Sequence, residues 1–489
     1  MGHYFVGIDS GTQSVRVIVF DLQGRVAAQA SEKHARLTTP FPGSAELDAE
    51  DLWTCLCRAS RRAVSMLHNP REIEAVCLAA QRSVLISVNE QGIPLHPGFS
   101  WLDSRRTDEI PALAGINSKL REMQVCSKAN WMKNHMPELY RKTSKFLSAS
   151  GWLTYKLCGL FRDSVGGLGG IFPLDVSCLD WSEDPLLYDL IGIPRTRLPD
   201  VFQPGQLIGS ITHEAARETG LPEGIALVTG SGDKSCEMLG AGVTSPKQGY
   251  ISYGTLATLE IPSPVPVFSK EGLYWTIPGA VPGTWNFEYG INYGFLLVSW
   301  FCEQFEVPEV GKDAATGRTL EEICCDQAAS VPPVSGGLFL ETSQFGPSRL
   351  KDVKETLLNL TNDIPHPRVL RMILEGFAFG MREGLELLAR DAEVSLEKIF
   401  IGGGGAQGEL PVQITADVLG LPVTRPRSVQ TCTLGAAVLA ALGAGFYSSC
   451  EEAAAQMCQR ERVFHPDPTN CRIYDSIYKG RRPTSPVEV

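Results

Sequence analysis

A short motif near the start of the chain recurs near its middle, and that recurrence constrains the fold more than any other feature. Tyr4–Ile8 and Val15–Phe20 are apolar and β-branched, so each is expected to be a strand, with the polar Asp9–Ser14 as the hairpin between them. Residues Gly249–Leu259 read Gly-Tyr-Ile-Ser-Tyr-Gly-Thr-Leu-Ala-Thr-Leu, again strand, Gly-Thr turn and strand. Two halves that open on one device point to a duplicated architecture. The first turn gathers Gly11, Thr12, Gln13 and Ser14 around the carboxylate of Asp9. Amide N–H groups and hydroxyls around one carboxylate suit a phosphate with a magnesium ion beside it. A hairpin whose Asp and Gly merely satisfy turn geometry would not need so many side-chain donors.

At 489 residues the chain is too long for one ordinary core and implies two to three domains. With 43% apolar and 20% charged residues it has the composition of a soluble globular protein. A net charge of −11 without any long Lys/Arg run argues against a nucleic-acid partner, because neutralising phosphates takes clustered cations. The most basic spot, Lys479-Gly480-Arg481-Arg482, reads as a terminus. There is no basic-then-apolar leader and no apolar run approaching the roughly 18 residues of a membrane span, so no membrane partner and a cytoplasmic location are expected. The 14 cysteines are scattered without a Cys-x-x-Cys pair, and no histidines cluster at ligand spacing. They read as small buried hydrophobes, neither zinc ligands nor disulfides.

Along the chain, Arg25–Glu32 reads as a third strand and Glu46–Met66 as a helix capped by Asp48 or Asp51. Ile73–Ala80 and Val84–Val88 read as strands flanking Gln81-Arg82-Ser83, which makes a mixed α/β unit. Thr143–Leu157 has the spacing of an amphipathic helix, and Gly166–Gly170 reads as a connector because it lacks the Lys-Ser/Thr ending of a P-loop. The segment Trp101-Leu102-Asp103-Ser104-Arg105 combines an aromatic plane, a carboxylate and a guanidinium. Hydroxyl-rich ligands need those groups, although a surface loop with a local ion pair would contain them too.

Ala226–Ser235 runs from an apolar strand through Gly230-Ser231-Gly232 to Asp233 at the start of a helix expected over Ser235–Gly242. Asp233 either caps that helix or accepts a substrate's hydroxyl proton, with Lys234 or the helix N-terminus balancing charge. Late in the chain come a long helix from about Pro367 to Arg390, a strand at Lys398–Ile401 and the loop Gly402–Gly408. Gly403-x-Gly405-x-x-Gly408 satisfies the dinucleotide fingerprint, but the next strand ends Val423-Thr424-Arg425-Pro426, without the acid that holds a ribose. The better reading is a nucleotide laid against a glycine-rich turn whose missing side chains admit it to the backbone.

The order of these motifs resembles that of the FGGY carbohydrate kinases, within the actin, heat-shock chaperone and sugar-kinase superfamily, through essentially the whole chain. Gly7–Arg16 resembles the first phosphate loop, Trp101–Arg105 the Trp-x-Asp-x-Arg sugar loop, and Trp131-Met132-Lys133 with Pro137-Glu138 a lid-side helix pair. Gly230–Asp233 matches the segment of the catalytic aspartate, and Gly254-Thr255 resembles the second phosphate loop. Glu375-Gly376 resembles part of the family's long helix, Gly402–Gly405 with Ala416–Gly420 its adenosine region, and Thr433–Ala437 its closing helix.

The resemblance implies an α/β protein of two duplicated ribonuclease-H-like, actin-like domains, residues 1–246 and 247–489, hinged near 244–249 around a central cleft. It implies ATP-dependent phosphorylation of a sugar or polyol hydroxyl, with Asp233 as base and Asp9 positioning Mg2+ through water. Gly11, Thr12, Gln13, Ser14, Arg16, Gly254 and Thr255 would line the phosphates, and Gly403, Gly404, Gly405, Ala406 and Gln407 the nucleoside. Gln81, Arg82, Trp101, Asp103, Arg105 and Asp233 would face the acceptor. Gln81-Arg82 look like the glycerol-kinase type, while length and the run of motifs look closer to the xylulokinase group. A ketopentose acceptor is therefore expected, with glycerol or another polyol as the alternative. Gln344–Arg349 departs from the family's Gly-Glu-Arg-x-Pro. An actin-like binding protein, hydrolysing ATP whatever sugar is present, is the alternative from another class, and it leaves Trp101, Asp103 and Asp233 without use. The aromatic stretch Tyr274–Phe301 fits core packing, with a homodimer face as the other reading.

Overall fold

The computed structural model describes residues 2–110, 118–291, 294–304, 320–336, 340, 354, 357, 360 and 363–481. Gln344–Arg349 and Tyr293 lie outside them. Six strands of the first half form one sheet: β1 (Tyr4–Ser10), β2 (Ser14–Asp21), β3 (Val26–Lys33), β4 (Ile73–Ala80), β5 (Leu207–Ser210) and β6 (Ala226–Gly232), in the order β5-β6-β4-β1-β2-β3. Successive residues of β1 alternate between its two faces. Val6 and Ile8 pack with helix α1 (Ala49–Ser65), and Phe5 packs on the opposite side. Of the two caps the sequence offers, Asp48 is the one used, its side chain accepting the Glu50 N–H, while Asp51 lies in the first turn.

Seven strands of the second half form the other sheet: β7 (Gln248–Tyr253), β8 (Ala257–Ser263), β9 (Trp275–Pro278), β10 (Trp285–Ile291), β11 (Lys398–Gly402), β12 (Val423–Pro426) and β13 (Arg460–Phe464). Their order is β9-β10-β8-β7-β11-β12-β13. Apart from the added β9, this repeats the first sheet strand for strand. The hairpins β1–β2 and β7–β8 are antiparallel, while β4 and β6 in one sheet and β11 and β12 in the other run parallel to the central strand. The duplication inferred from one repeated hairpin therefore extends to both sheets.

Helices α2 (Asp233–Gly240), α3 (His366–Asp391), α4 (Glu409–Leu419) and α5 (Thr431–Gly443) complete the parts that position the site. Helices α3 and α4 cover one face of the second sheet, burying Phe377, Ile373 and Val412 with Ile251, Leu259 and Phe287. Helix α5, although late in sequence, covers the first sheet, with Leu434, Ala437 and Val438 beside Phe5, Ala75 and Cys77. Three glycines make that approach close. A Cβ on Gly7 would lie 1.9 Å from the Thr433 carbonyl oxygen, one on Gly240 1.9 Å from that of Thr431, and one on Gly435 2.0 Å from that of Cys236. Helix α2 thus lies against α5 and reaches the second sheet through Met238, which packs on Tyr250 and Phe400.

Two expectations need correction. The span Thr143–Leu157 is not one helix: Lys145–Leu147 pairs as a strand with Ile86–Val88, and the helix begins at Ala149, capped by Ser148. The hydroxyl of Ser148 stops the helix from extending upstream, a choice the apolar spacing does not reveal. Helix α2 begins at Asp233, two residues earlier than expected, with Gly232 as its N-cap. Most of the aromatic stretch is core, with Tyr274, Trp285, Phe287, Phe295 and Phe301 buried, while Trp275 is exposed. All 14 cysteines are free thiols, and Cys178 alone is exposed. Among the described residues no helix is long and apolar enough to cross a membrane.

Candidate active site

The two hairpin turns stand at the same place in the two sheets. In the first, Asp9 pairs in register with Arg16, whose Nη1 lies 3.3 Å from the Asp9 carboxylate. Burial pushes the Asp9 carboxyl up from 3.8 to about 6, the charge of Asp233 adds to the rise, and Arg16 opposes it. The turn is tied to the neighbouring loops. Thr12 Oγ1 donates to Gln81 Oε1 at 3.2 Å, Gln81 Nε2 donates to the Gly11 carbonyl at 3.3 Å, and Trp101 Nε1 donates to Thr12 Oγ1 at 2.9 Å. The turn glycines are not needed for backbone shape. Neither has a positive φ, and an added Cβ at Gly11 or Gly254 would meet nothing closer than 3.6 Å. What they leave free is open space over the turn.

Asp233 begins α2, close enough to Asp9 for their charges to interact, and its side chain accepts the Lys234 N–H at 2.9 Å. The protein packed around it raises its carboxyl, although solvent reaches 35% of the side chain; Arg82 and Lys234 hold the rise down. Arg82 spans the halves. Its Nε lies 3.9 Å from Asp233 Oδ1, and its Nη2 donates to Glu288 Oε2 at 2.7 Å. Lys234 Nζ lies 2.8 Å from Glu237 Oε2 and donates to Ser252 Oγ at 3.0 Å, so the second hairpin is bound to α2. Burial works against the charge of Glu237, but Lys234 and the hydroxyls of Tyr250 and Ser252 outweigh it and hold that carboxyl below the ordinary range.

Sequence reasoning did not find Glu237, Glu260 and Glu288. Glu260 and Glu288 face each other across β8 and β10. Burial and then Glu288 push the Glu260 carboxyl well above its ordinary value, and neither of its buried oxygens makes a hydrogen bond. The signal available was a glutamate between Leu259 and Ile261, since a strand buried on both faces should not contain one without a reason.

The acceptor-side residues divide. Gln81 lies against the first turn and Arg82 beside Asp233 as described, and Trp101 is half exposed beside Thr12. Asp103 and Arg105 face each other instead. Arg105 Nε and Nη2 donate to Asp103 Oδ2 at 2.8 and 2.6 Å, Asp103 also accepts the Ala45 N–H at 2.9 Å, and Lys128 Nζ lies 3.3 Å away. The Arg105 guanidinium is 2.8 Å from Glu46 and lies over the rings of Phe41, Phe99 and Trp131. A pair so enclosed holds the loop that presents Trp101. Trp131, on the helix Lys128–His135, is one wall of that enclosure.

The glycine loop follows β11. Gly403 has φ +83°, and a Cβ there would meet the Tyr253 backbone at 2.6 Å; one on Gly405 would meet the Phe295 ring at 2.2 Å. These two glycines pack the loop against the second hairpin. Gly404 has nothing within 4 Å of a built Cβ and faces open space. Ala406 is fully buried, and Arg425 Nη1 donates to the Ala406 and Gln407 carbonyls at 3.3 and 2.8 Å. Where a dinucleotide fold needs an acid, this chain has an arginine that ties the loop down.

Known proteins give this geometry a context. Residues 4–240 match the N-terminal domain, and residues 249–444 the C-terminal domain, of the FGGY family of carbohydrate kinases. The chain is 29% identical over 484 residues to the uncharacterized sugar kinase YgcE of Escherichia coli K12, covering 98% of this chain and 92% of that one. It is 28% identical over 495 residues to the autoinducer-2 kinase of Escherichia coli K12, covering 96% and 92%. Among solved structures it is similar to xylulose kinase from Rhodospirillum rubrum, with TM-score 0.83, 21% identity and coverage of 98% and 97%. It is also similar to Plasmodium falciparum glycerol kinase with ADP, with TM-score 0.78, 18% identity and coverage of 100% and 99%.

Proposed function

The chain belongs to the FGGY family of carbohydrate kinases, and we propose that it transfers the γ-phosphoryl group of ATP to a hydroxyl of a ketopentose, with Asp233 as general base. As a sugar kinase it is an ATP-dependent phosphotransferase acting on a small carbohydrate. The observation that supports the residue assignment is the convergence of Asp233, Asp9 and Arg82 between two glycine turns whose glycines serve no backbone need.

In this reading the domains are residues 1–246 and 247–489, and the acceptor lies against Gln81, Arg82 and Trp101 on the first. Asp103 and Arg105 act by holding Trp101. Asp233 Oδ takes the proton of the attacking hydroxyl, and Arg82 balances the carboxylate before transfer. The amides and hydroxyls of Gly11–Ser14 and of Gly254-Thr255 receive the phosphate oxygens, and Gly404 lets the nucleoside approach the backbone. Arg16 balances charge beside Asp9, and Gly403, Gly405, Ala406 and Gln407 shape the nucleoside wall. Asp9 fits a magnesium site, since its carboxylate meets the Arg16 guanidinium at a long 3.3 Å and the weakly donating Cys432 thiol, and sits among negative charge that a cation would relieve. Bound there, Mg2+ would offset charge on the phosphates. Closing the halves over the acceptor excludes water that would otherwise take the phosphoryl group.

The acceptor reading rests on the company the chain keeps. Its structural neighbours are named as kinases of xylulose, gluconate and glycerol, all short polyhydroxylated chains. Glycerol and other polyols are the alternative that Gln81-Arg82 keep in view. The deciding assay is ADP release from Mg-ATP across ketopentoses, polyols, glycerol and six-carbon sugars, with Asp233→Asn alongside. We expect one ketopentose to raise turnover far above the sugar-free rate and the variant to lose that gain by about 10² to 10⁴ fold. Stimulation by glycerol alone would move the acceptor to the polyols, and full activity in Asp233→Asn would remove it from the base role.

A further inference from the structure

A cluster of metal-ligating side chains lies beside the turn of the first hairpin, where the end of β3 meets α1. His34 follows the last residue of β3, and Asp51 and Cys55 lie one helical turn apart at the start of α1. The ring of His34 is 97% buried at its side chain, yet neither of its nitrogens makes a hydrogen bond. A buried imidazole normally satisfies both nitrogens, so this one lacks a partner its surroundings should supply. Its Nδ1 lies 3.8 Å from Asp51 Oδ2, and Cys55 Sγ lies 3.7 Å from Asp51 Oδ1. One ligand atom from each of the three residues falls within 4.8 Å of the others, the only such group among the described residues.

We propose that His34, Asp51 and Cys55 form a binding site for a divalent transition metal of the zinc class, held by one imidazole nitrogen, one carboxylate oxygen and one thiolate. That donor set is the one zinc and cobalt(II) accept in tetrahedral sites, and three protein ligands leave a fourth position for water. Calcium and magnesium, which prefer oxygen cages, are poorly matched. Binding replaces the S–H bond of Cys55 by a metal–sulfur bond and releases one proton to solvent. The carboxylate is already oriented, because Asp51 Oδ2 accepts the Ala35 N–H at 2.7 Å, the kind of outer contact that fixes a ligand's direction. The sequence hid the site because its ligands are 17 and 4 residues apart and no paired cysteines announce it.

The position gives the metal a consequence. The backbone N–H of His34 donates to the Gln13 carbonyl at 3.0 Å, so the residue that would ligate the ion also holds the proposed first phosphate turn. A bound ion would fasten that turn to α1.

The test is cobalt(II) binding to the full-length, chelator-treated protein. We expect one ion per chain, a thiolate-to-cobalt charge-transfer band in the near ultraviolet and visible bands of four-coordinate intensity. Cys55→Ser should abolish the charge-transfer band, and His34→Gln should weaken binding by at least about tenfold, the scale on which even supporting contacts act. Cys178→Ser, at the exposed thiol, should change neither. Zinc should raise the melting temperature of the parent protein and leave that of Cys55→Ser unmoved, both read without sugar or ATP. A charge-transfer band that survives in Cys55→Ser, or cobalt binding with no such band, would overturn the assignment.

Discussion

The same position in the two halves carries opposite chemistry. After β4 the chain presents Gln81-Arg82-Ser83, and after the equivalent β11 it presents Gly403-Gly404-Gly405. The central hairpins differ in the same sense, Asp9 standing where the second copy has Ser252. Open α/β sheets place ligands at the carboxyl ends of their parallel strands, so duplication creates two equivalent edges facing one cleft. An acceptor made of hydroxyls needs directed carboxylates, amides and guanidinium groups. A nucleotide needs exposed backbone and room. On the proposed assignment the first copy supplies side chains and the second removes them, so that duplication sets where a site lies and substitution sets what it holds.

The largest effect should come from exchanging the hairpin residues. Asp9→Asn keeps the shape and removes the charge, and we expect kcat to fall by about 10² to 10³ fold, as when one preorganised polar group is lost from a reacting centre. Ser252→Ala removes one acceptor from Lys234, which keeps Glu237 at 2.8 Å, so kcat should stay within about tenfold. Steady-state kinetics with saturating sugar and ATP measure both. Equal losses would mean that the two hairpins share one role.

Next comes a crossed pair. Arg82→Gln should raise KM for the sugar by about tenfold or more, since it breaks a charged contact to Glu288, and should leave KM for ATP nearly unchanged. Gly404→Ala should do the reverse, because a methyl group there enters open space over the loop and not a neighbouring atom. If both variants move the same KM, the division into an acceptor edge and a nucleotide edge is wrong.

The duplicated fold and the segments that carry the proposed site were legible in the sequence, for reasons that differ by residue. Turn glycines, the Asp233 segment and the four-glycine loop are local, and local chemistry survives in one dimension. The register of Glu260 opposite Glu288, and the turning of Asp103 and Arg105 toward each other, depend on which strand or loop comes alongside. The helix expected over Thr143–Leu157 failed at Ser148 for a local reason, because a capping hydroxyl there outweighs apolar spacing. The return of α5 to the first sheet follows from Gly7, Gly240 and Gly435 meeting at carbonyl distance, and no one of the three announces the others.

A smaller effect separates the hairpins by pH. Asp9 is raised to about 6 in the fold, and it ionises nearer 3.8 when unfolded. The native state therefore holds the proton more tightly, and stability falls as pH rises from about 3.8 to 6, then stays level. That rise corresponds to about 3 kcal/mol lost at neutral pH. Asp9→Asn should recover up to that amount at pH 7 in the ligand-free protein and none of it below the unfolded value, while Ser252→Ala should show no such pH dependence. In the same range kcat/KM of the parent should climb as Asp9 ionises. Denaturant melts across pH check the first point and pH–rate profiles the second.

The smallest effect tests whether the turns serve the ligand or the fold. Gly11 and Gly254 have ordinary φ angles, and a methyl group on either would find its nearest neighbour at 3.6 Å. Alanine at either position should leave the melting temperature within about 2 °C, or raise it slightly, because the unfolded chain loses freedom that the turn never used. Each should nonetheless raise KM for ATP by a few fold, since the methyl group enters the space where phosphate oxygens would meet the amides. Gly7→Ala is the contrast, with its Cβ 1.9 Å from a backbone oxygen, and it should unfold several degrees earlier. If Gly11→Ala destabilises as Gly7→Ala does while KM stays put, the glycine belongs to the hairpin and the phosphate assignment loses its geometric support. If only KM moves, the two turns are alike in what they leave empty, and the halves differ through the side chains placed around that space.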